Sequence, residues 1–146
     1  MVHISTQSSE KIETNLIQHV ALSLNDIMIL RLLQQSPMNG YNIQRKIQGD
    51  WRITLPSGSI YSCLQVLERK KLVSSKWVII TKKRHPLNKS KITGLKRTKT
   101  FQVTPEGEEF LHSVESSSFL VFRFLQTILK PSLTVNLQAR EVSSHV

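Results

Sequence analysis

The chain predicts a mainly α fold with a small β hairpin, an α+β class. Three observations carry that reading. Short apolar stripes of helical period recur between Asn25 and Arg69. Two segments rich in β-branched and aromatic residues, 73–81 and 100–104, flank a long polar stretch. After Pro105, apolar residues alternate in steps of three and four. With 146 residues and 39% hydrophobic content, the chain has material for one modest core.

The elements follow in order. Residues 1–9 are polar and serine-rich. From Glu10 a helical pattern sets in, with Ile12, Leu16 and Val20 at i, i+4 and i+8. Asn25 and Asp26 open a first core helix bearing Ile27, Leu30 and Leu33. Ser36-Pro37 ends it, because the residue before a proline is pushed out of the α region. Asn39-Gly40 reads as a turn. Tyr41, Ile43 and Ile47 mark a second short helix that stops near Gly49-Asp50. The turn at 55–59 feeds a third helix, for which Ser57 and Ser59 are both suitable caps. Its stripe is Ile60, Leu64 and Leu67, with Cys63 beside it.

Residues 73–81 read as a strand containing Trp77, Val78, Ile79 and Ile80. Residues 100–104 read as its partner, with Phe101 and Val103 on one face. The hairpin tip between them is 82–99, which contains Pro86 and Gly94. Thr104 then caps the last helix, Pro105 takes its first position, and acids follow in the first turn. Leu111, Val114, Ser118, Val121, Leu125 and Ile128 form a seam with one polar break, widened by Phe110, Phe122 and Leu129. Pro131 stops the helix. The organisation expected is an N-terminal extension at 1–22 with a helical pattern, a core at 23–104, a dimerisation helix at 105–131 and a tail at 132–146.

The charge is localised. The formal net charge is +10. Residues 1–68 hold five basic and five acidic residues, whereas 69–100 hold twelve basic residues and no acid. Twelve uncompensated cations in one segment exceed what solvation needs and point to an anionic polymer. The order helix, helix, helix, strand, basic tip, strand, helix is the winged helix-turn-helix plan. In that plan the third helix offers its N-terminal end to the major groove, where phosphates suit the helix terminus, and the hairpin is the wing.

Specific residues then carry a family resemblance. These are Ile29-Leu30-Arg31-Leu32-Leu33, Ser36-Pro37-Met38-Asn39-Gly40-Tyr41-Asn42-Ile43, Pro56-Ser57-Gly58-Ser59-Ile60-Tyr61, Leu67-Glu68-Arg69-Lys70-Lys71-Leu72-Val73 and Phe101-Gln102-Val103-Thr104-Pro105-Glu106-Gly107. Over roughly residues 24–112 the chain resembles the PadR family of transcriptional regulators. The Pro-x-x-Gly-Tyr and Pro-Ser-Gly-Ser-x-Tyr stretches are the more specific part, because Thr-Pro-Glu-Gly is shared by many winged helices. The resemblance implies a homodimeric, operator-binding repressor whose C-terminal helix builds the dimer. The wing here is longer and more basic than is usual in that family, and about twenty residues precede the core.

Candidate site residues follow. Ser57, Ser59 and Tyr61 stand at the start of the third helix. Small hydroxyls approach phosphates closely, and a tyrosine bonds a phosphate or stacks on a sugar. Ser57 is equally suited to a plain cap. Ser62, Gln65 and Arg69 follow at helical spacing, and Gln65 has the chemistry to read adenine. On the wing, Lys82, Lys83, Arg84, His85, Lys89, Lys91, Lys96, Arg97 and Lys99 supply cations for phosphates or a minor groove. The dimer contacts expected are Leu111, Val114, Val121, Leu125 and Ile128. Tyr41 is expected in the core, with Gly40 supporting tight chain entry beside it. Trp51 and Trp77 are also expected in the core. The resemblance offers them a second role, lining a pocket for a small aromatic effector. Cys63 is expected as a small buried hydrophobe rather than a redox switch.

Other classes are weaker. A single cysteine excludes a disulfide framework and a Cys-based zinc site within one chain. The histidines stand singly, no glycine-rich phosphate loop is present, and no catalytic arrangement is visible; neither a cofactor nor a metal is expected. The start lacks a basic region followed by an apolar stretch, and the apolar run 119–122 ends at Arg123, far short of the ~20 residues of a membrane span. The expectation is a cytoplasmic protein with double-stranded DNA as partner and no membrane association. An RNA-binding or ribosome-associated winged helix, and a winged helix that binds an acidic protein, are the alternatives.

Overall fold

Eighteen residues, Thr6–Ser23, form helix α1 in the computed structural model, which describes residues 6–81 and 95–130. The helix begins four residues earlier than its apolar pattern does. It docks through buried Ala21 and through Gln18, whose Nε2 donates to the Thr54 carbonyl at 2.7 Å. Leu24 breaks the chain, and α2 (Asn25–Gln35) leaves at 73° to α1. Asp26 in its first turn complements the helix dipole. The extended backbone of Ser36, imposed by Pro37, ends α2 at the expected place.

Met38–Asn39 forms a two-residue strand, β1, where the sequence suggested only a turn. Asn39 then caps α3 (Gly40–Trp51), its side chain accepting from the Asn42 N–H at 2.8 Å. Helix α4 (Ser57–Arg69) starts at the Pro56 carbonyl, which accepts from the Ser59 and Ile60 amides at 3.0 and 3.3 Å. No side chain caps it, so the expected capping by Ser57 or Ser59 is not realised. Pro56 occupies the cap position and Ser57 is already helical.

Strand β2 (Val73–Thr81) runs as expected. Its partner β3 (Leu95–Val103) starts five residues before the predicted strand and ends one residue before it, at Val103. Arg97 and Lys99 therefore lie on a strand and not on the tip. The cause is visible in the register. Val73 pairs with Val103, Trp77 with Lys99, Ile79 with Arg97 and Thr81 with Leu95, antiparallel throughout. Cross-strand partners from β2 hold a cationic segment whose own sequence has few strand formers. Strand β1 pairs on the other side of β3, Met38 with Phe101 and Asn39 with Thr100. The sheet thus has three strands in the order β1-β3-β2 and is more than the simple hairpin the sequence implied.

The core lies between α2, α3, α4 and the base of the sheet. Ile29, Leu30, Leu32, Ile43, Ile47, Leu55, Ile60 and Leu64 are all essentially inaccessible, with Leu67, Val73, Met38 and Phe101 around them. Each such side chain contributes about 1.5–3 kcal/mol relative to exposure. Helix α5 (Pro105–Leu129) opens as the sequence requires, with the Thr104 hydroxyl accepting from the Gly107 N–H at 3.1 Å and donating to the Lys71 carbonyl at 2.6 Å. Gly107 is obligatory, because a Cβ there would strike the Leu72 carbonyl oxygen and lie 2.7 Å from Val103 Cγ2. This arrangement of helices and sheet is a winged helix-turn-helix.

The chain divides into two compact units, Met1–Glu109 and Phe110–Val146. In the second, Leu111 is buried, Val114 and Leu125 are half-buried, and Val121 and Ile128 are exposed. Phe119, Leu120, Phe122, Phe124 and Leu129 are exposed too. At 100° per residue, apolar positions 120–129 cover an arc of about 200°, wider than a single coiled-coil seam. No single described helix is long and apolar enough to cross a membrane.

Candidate nucleic-acid interface

Helix α4 divides cleanly. Ile60, Leu64 and Leu67 are buried on one side, while Tyr61, Ser62, Gln65 and Arg69 are exposed on the other. Ser57 is exposed and Ser59 half-buried. Positions 61, 65 and 69 stack along one line of the helix, and 62 lies beside it. A helix of this kind presents hydroxyl, amide and guanidinium groups along one edge, starting from an N-terminus where partial positive charge favours anions.

Tyr61 is held close to the turn before α3. A Cβ on Gly40 would lie 2.5 Å from Tyr61 Cε1, so glycine is required for this approach. Next to it, Tyr41 is 60% exposed, against the expectation that it packs in the core, and Arg45 lies 5.8 Å from its ring centre. The cause is its position at the second residue of α3, where Gly40 faces inward and Tyr41 outward.

The wing supplies the facing wall. Trp77 is 59% exposed, with the Arg97 guanidinium 5.2 Å from its ring centre. Trp51 is 40% exposed, so the expected core role fails for both tryptophans. Trp77 stands far enough along β2 to clear the core, which ends near Ser75 and Phe101. Asn39, Tyr41, Tyr61, Trp77, Lys96, Arg97 and Lys99 line a groove of about 450 Å³ between the start of α3, α4 and the wing. Of these, Asn39 and Tyr41 carry no site role in the sequence reading, and Trp77 carries one only as the effector-pocket lining that the resemblance offers. The signal for Trp77 was an aromatic on a strand alternating with Lys76, in register with cations across the hairpin.

Lys99 behaves differently from Arg97. Its ammonium is 3.0 Å from Glu68 Oε2 and 5.4 Å from the Phe101 ring centre. The Ser75 hydroxyl donates to the other carboxylate oxygen of Glu68. These two hydrogen bonds, from Ser75 and then Lys99, hold the Glu68 carboxyl below its ordinary range. Cys63 is half-buried. Burial first, and the Asp26 carboxylate second, push its thiol up to about 11 despite opposition from Lys70. At neutral pH it is a protonated, weakly nucleophilic thiol. Lys82, Lys83, Arg84, His85, Lys89 and Lys91 lie outside the described residues. Among the described residues, no group of three His, Cys, Asp or Glu side chains is placed to hold a metal ion.

Residues 29–113 match the model of the transcriptional regulator PadR-like family. The chain belongs to that family. The match runs from α2 into α5 and leaves α1 and the end of α5 outside it. Solved PadR-like and related structures share the fold. A PadR family transcriptional regulator from Eggerthella lenta is 19% identical, with a TM-score of 0.59, over 86% of this chain and 98% of the other. A transcriptional regulator from Clostridium thermocellum is 19% identical, with a TM-score of 0.61, over 77% and 96%. A PadR-like transcription factor from Bacteroides fragilis is 22% identical, with a TM-score of 0.55, over 78% and 98%. No curated protein matches the chain.

Proposed function

We propose that this PadR-like regulator is a sequence-specific binder of double-stranded DNA that acts as a homodimeric repressor. The observation that carries the reading is the groove between α4 and the wing, where Tyr61, Tyr41 and Trp77 meet the cations Arg97 and Lys96. In this reading Tyr61, Ser62 and Gln65 of α4 enter the major groove, with Ser57 and Ser59 near the phosphates at its mouth. Arg97 and the tip residues Lys82, Lys83, Arg84, Lys89 and Lys91 follow the backbone and supply the salt-dependent part of the affinity. The exposed apolar arc of α5, including Val121 and Ile128, favours a second copy as its partner. A two-fold dimer calls for a pseudo-palindromic site with half-sites about one DNA turn, or a multiple, apart.

The test is selection from a random duplex pool, followed by gel shifts of the recovered sequence against structured RNA and scrambled duplex. A recovered palindrome that resists both competitors is expected. With roughly 6–10 phosphate contacts, its affinity falls by about 10³–10⁵ between 50 and 200 mM salt. Equal competition by RNA, or recovery of no sequence, overturns the reading in favour of an RNA or acidic-protein partner. Repression is then tested by placing the recovered site in a reporter promoter and measuring transcription with and without the protein.

A further inference from the structure

The wing and the recognition helix meet at one carboxylate. Glu68 is the last acid before residue 106 and stands directly before a segment, 69–100, that holds twelve cations and no acid. It sits one residue before the end of α4 and reaches both wing strands, taking the Ser75 hydroxyl from β2 and the Lys99 ammonium from β3. Both cations border the groove, but Lys99 is half-buried with its ammonium on Glu68, while Arg97, two residues away on the same strand face, is exposed over Trp77. The register places Lys99 opposite Trp77, so the contact that fixes Lys99 also fixes the strand pair that carries Trp77 and Arg97.

From this geometry we infer that Glu68 is a positioning residue for DNA recognition: it locks the wing to α4 at one angle and holds Lys99 off the phosphates. The inference rests on the DNA-binding reading above. It separates two cations that the sequence treats alike. Arg97 faces the nucleic acid, and Lys99 serves as a strut. Locking gives up one cation contact and adds discrimination, because helix and wing then fit only a duplex whose groove geometry suits both at once. Freeing the strut converts Lys99 into one more nonspecific cation.

The experiment compares wild type with Glu68→Gln, Lys99→Met and the double variant on two probes, the duplex recovered by selection with wild type and a scrambled duplex of the same length, across a salt series. Circular dichroism melting first establishes that each variant is folded. Glu68→Gln is expected to tighten binding to the scrambled duplex and to reduce the preference for the selected duplex by about five- to tenfold. Its log–log salt slope steepens by about 0.9 for each freed lysine that reaches a phosphate. Lys99→Met reduces the preference similarly but leaves the slope at the wild-type value, and the double variant is no worse than either single one. A merely structural role for Glu68 would shift melting without steepening the slope. A shallower slope for Lys99→Met would make Lys99 a phosphate contact and overturn the inference. Unchanged preference in Glu68→Gln would overturn it as well. Failure of wild type to prefer any selected duplex is a different result, and it removes the DNA-binding reading itself.

Discussion

Helices α4 and α5 are both amphipathic, yet among the described residues the apolar stripe of α4 is covered and that of α5 is largely open. In α4 the stripe Ile60, Leu64 and Leu67 is buried, and the face left outside is mostly polar, with Tyr61 and Val66 as its exposed apolar members. In α5 the apolar positions from Phe119 to Leu129 are mostly 49–68% exposed. A stripe of about 100° is satisfied by the neighbours α2, α3 and the sheet, whereas an arc twice as wide is left open by the described residues.

The contrast is sharpest where each helix is damaged. Leu64→Ala removes a fully buried side chain from α4 and is expected to cost about 2–5 kcal/mol, read by urea denaturation. Val121→Asp in α5 is expected to leave the tryptophan fluorescence of the folded unit intact and instead to dissociate the proposed dimer. Two apolar side chains lost per interface, at about 1.5 kcal/mol each, raise the dimer dissociation constant more than 100-fold. Light scattering across a concentration series measures it. A dimer that survives the charge would break the comparison.

Gly40→Ala probes the outward face of α4. The new methyl must displace the Tyr61 ring, and because Tyr61 is 48% exposed the ring has somewhere to go. The expected outcome is a loss of about five- to tenfold in affinity for a selected duplex, about 1 kcal/mol, with little change in melting temperature. The smallest effect concerns acid. The folded carboxyl of Glu68 titrates below its ordinary value near 4.5. Its contribution to stability is present above that value and is lost as pH falls through the lower folded one. The pair is about one-third exposed, so the contribution is under about 1 kcal/mol. Stability curves of wild type and Glu68→Gln should differ at pH 6 and converge at low pH.

Most of the helical framework was legible because its cues are local. Pro37 stops α2, Thr104-Pro105 starts α5, and the stripes of α3 and α4 keep helical period over two turns or more. What was missed depends on partners distant in sequence. Met38–Asn39 is too short to show alternation and is a strand only because Phe101 and Thr100 lie alongside. The first half of β3 is cationic, and its pairing is supplied by β2. At the candidate site, the outward residues of α4 followed from helical spacing. Tyr41 and Trp77 did not, since large aromatics are usually buried and only the third dimension shows that these stand beyond the core's rim. Glu68 lies in a stretch that carries the family resemblance, but nothing in that stretch marks it as a site residue. Its importance is a matter of what Ser75 and Lys99 bring to it.

The short length of β1 has one more consequence. It covers β3 only at Thr100 and Phe101, so the backbone of residues 95–99 keeps an open hydrogen-bonding edge on that side. Open strand edges invite another chain to add on, and lysine and arginine are the usual deterrent. Three of those five residues are Lys96, Arg97 and Lys99. No other described strand pairs with that edge, and neutralising all three cations at once is expected to increase self-association, read by light scattering against wild type.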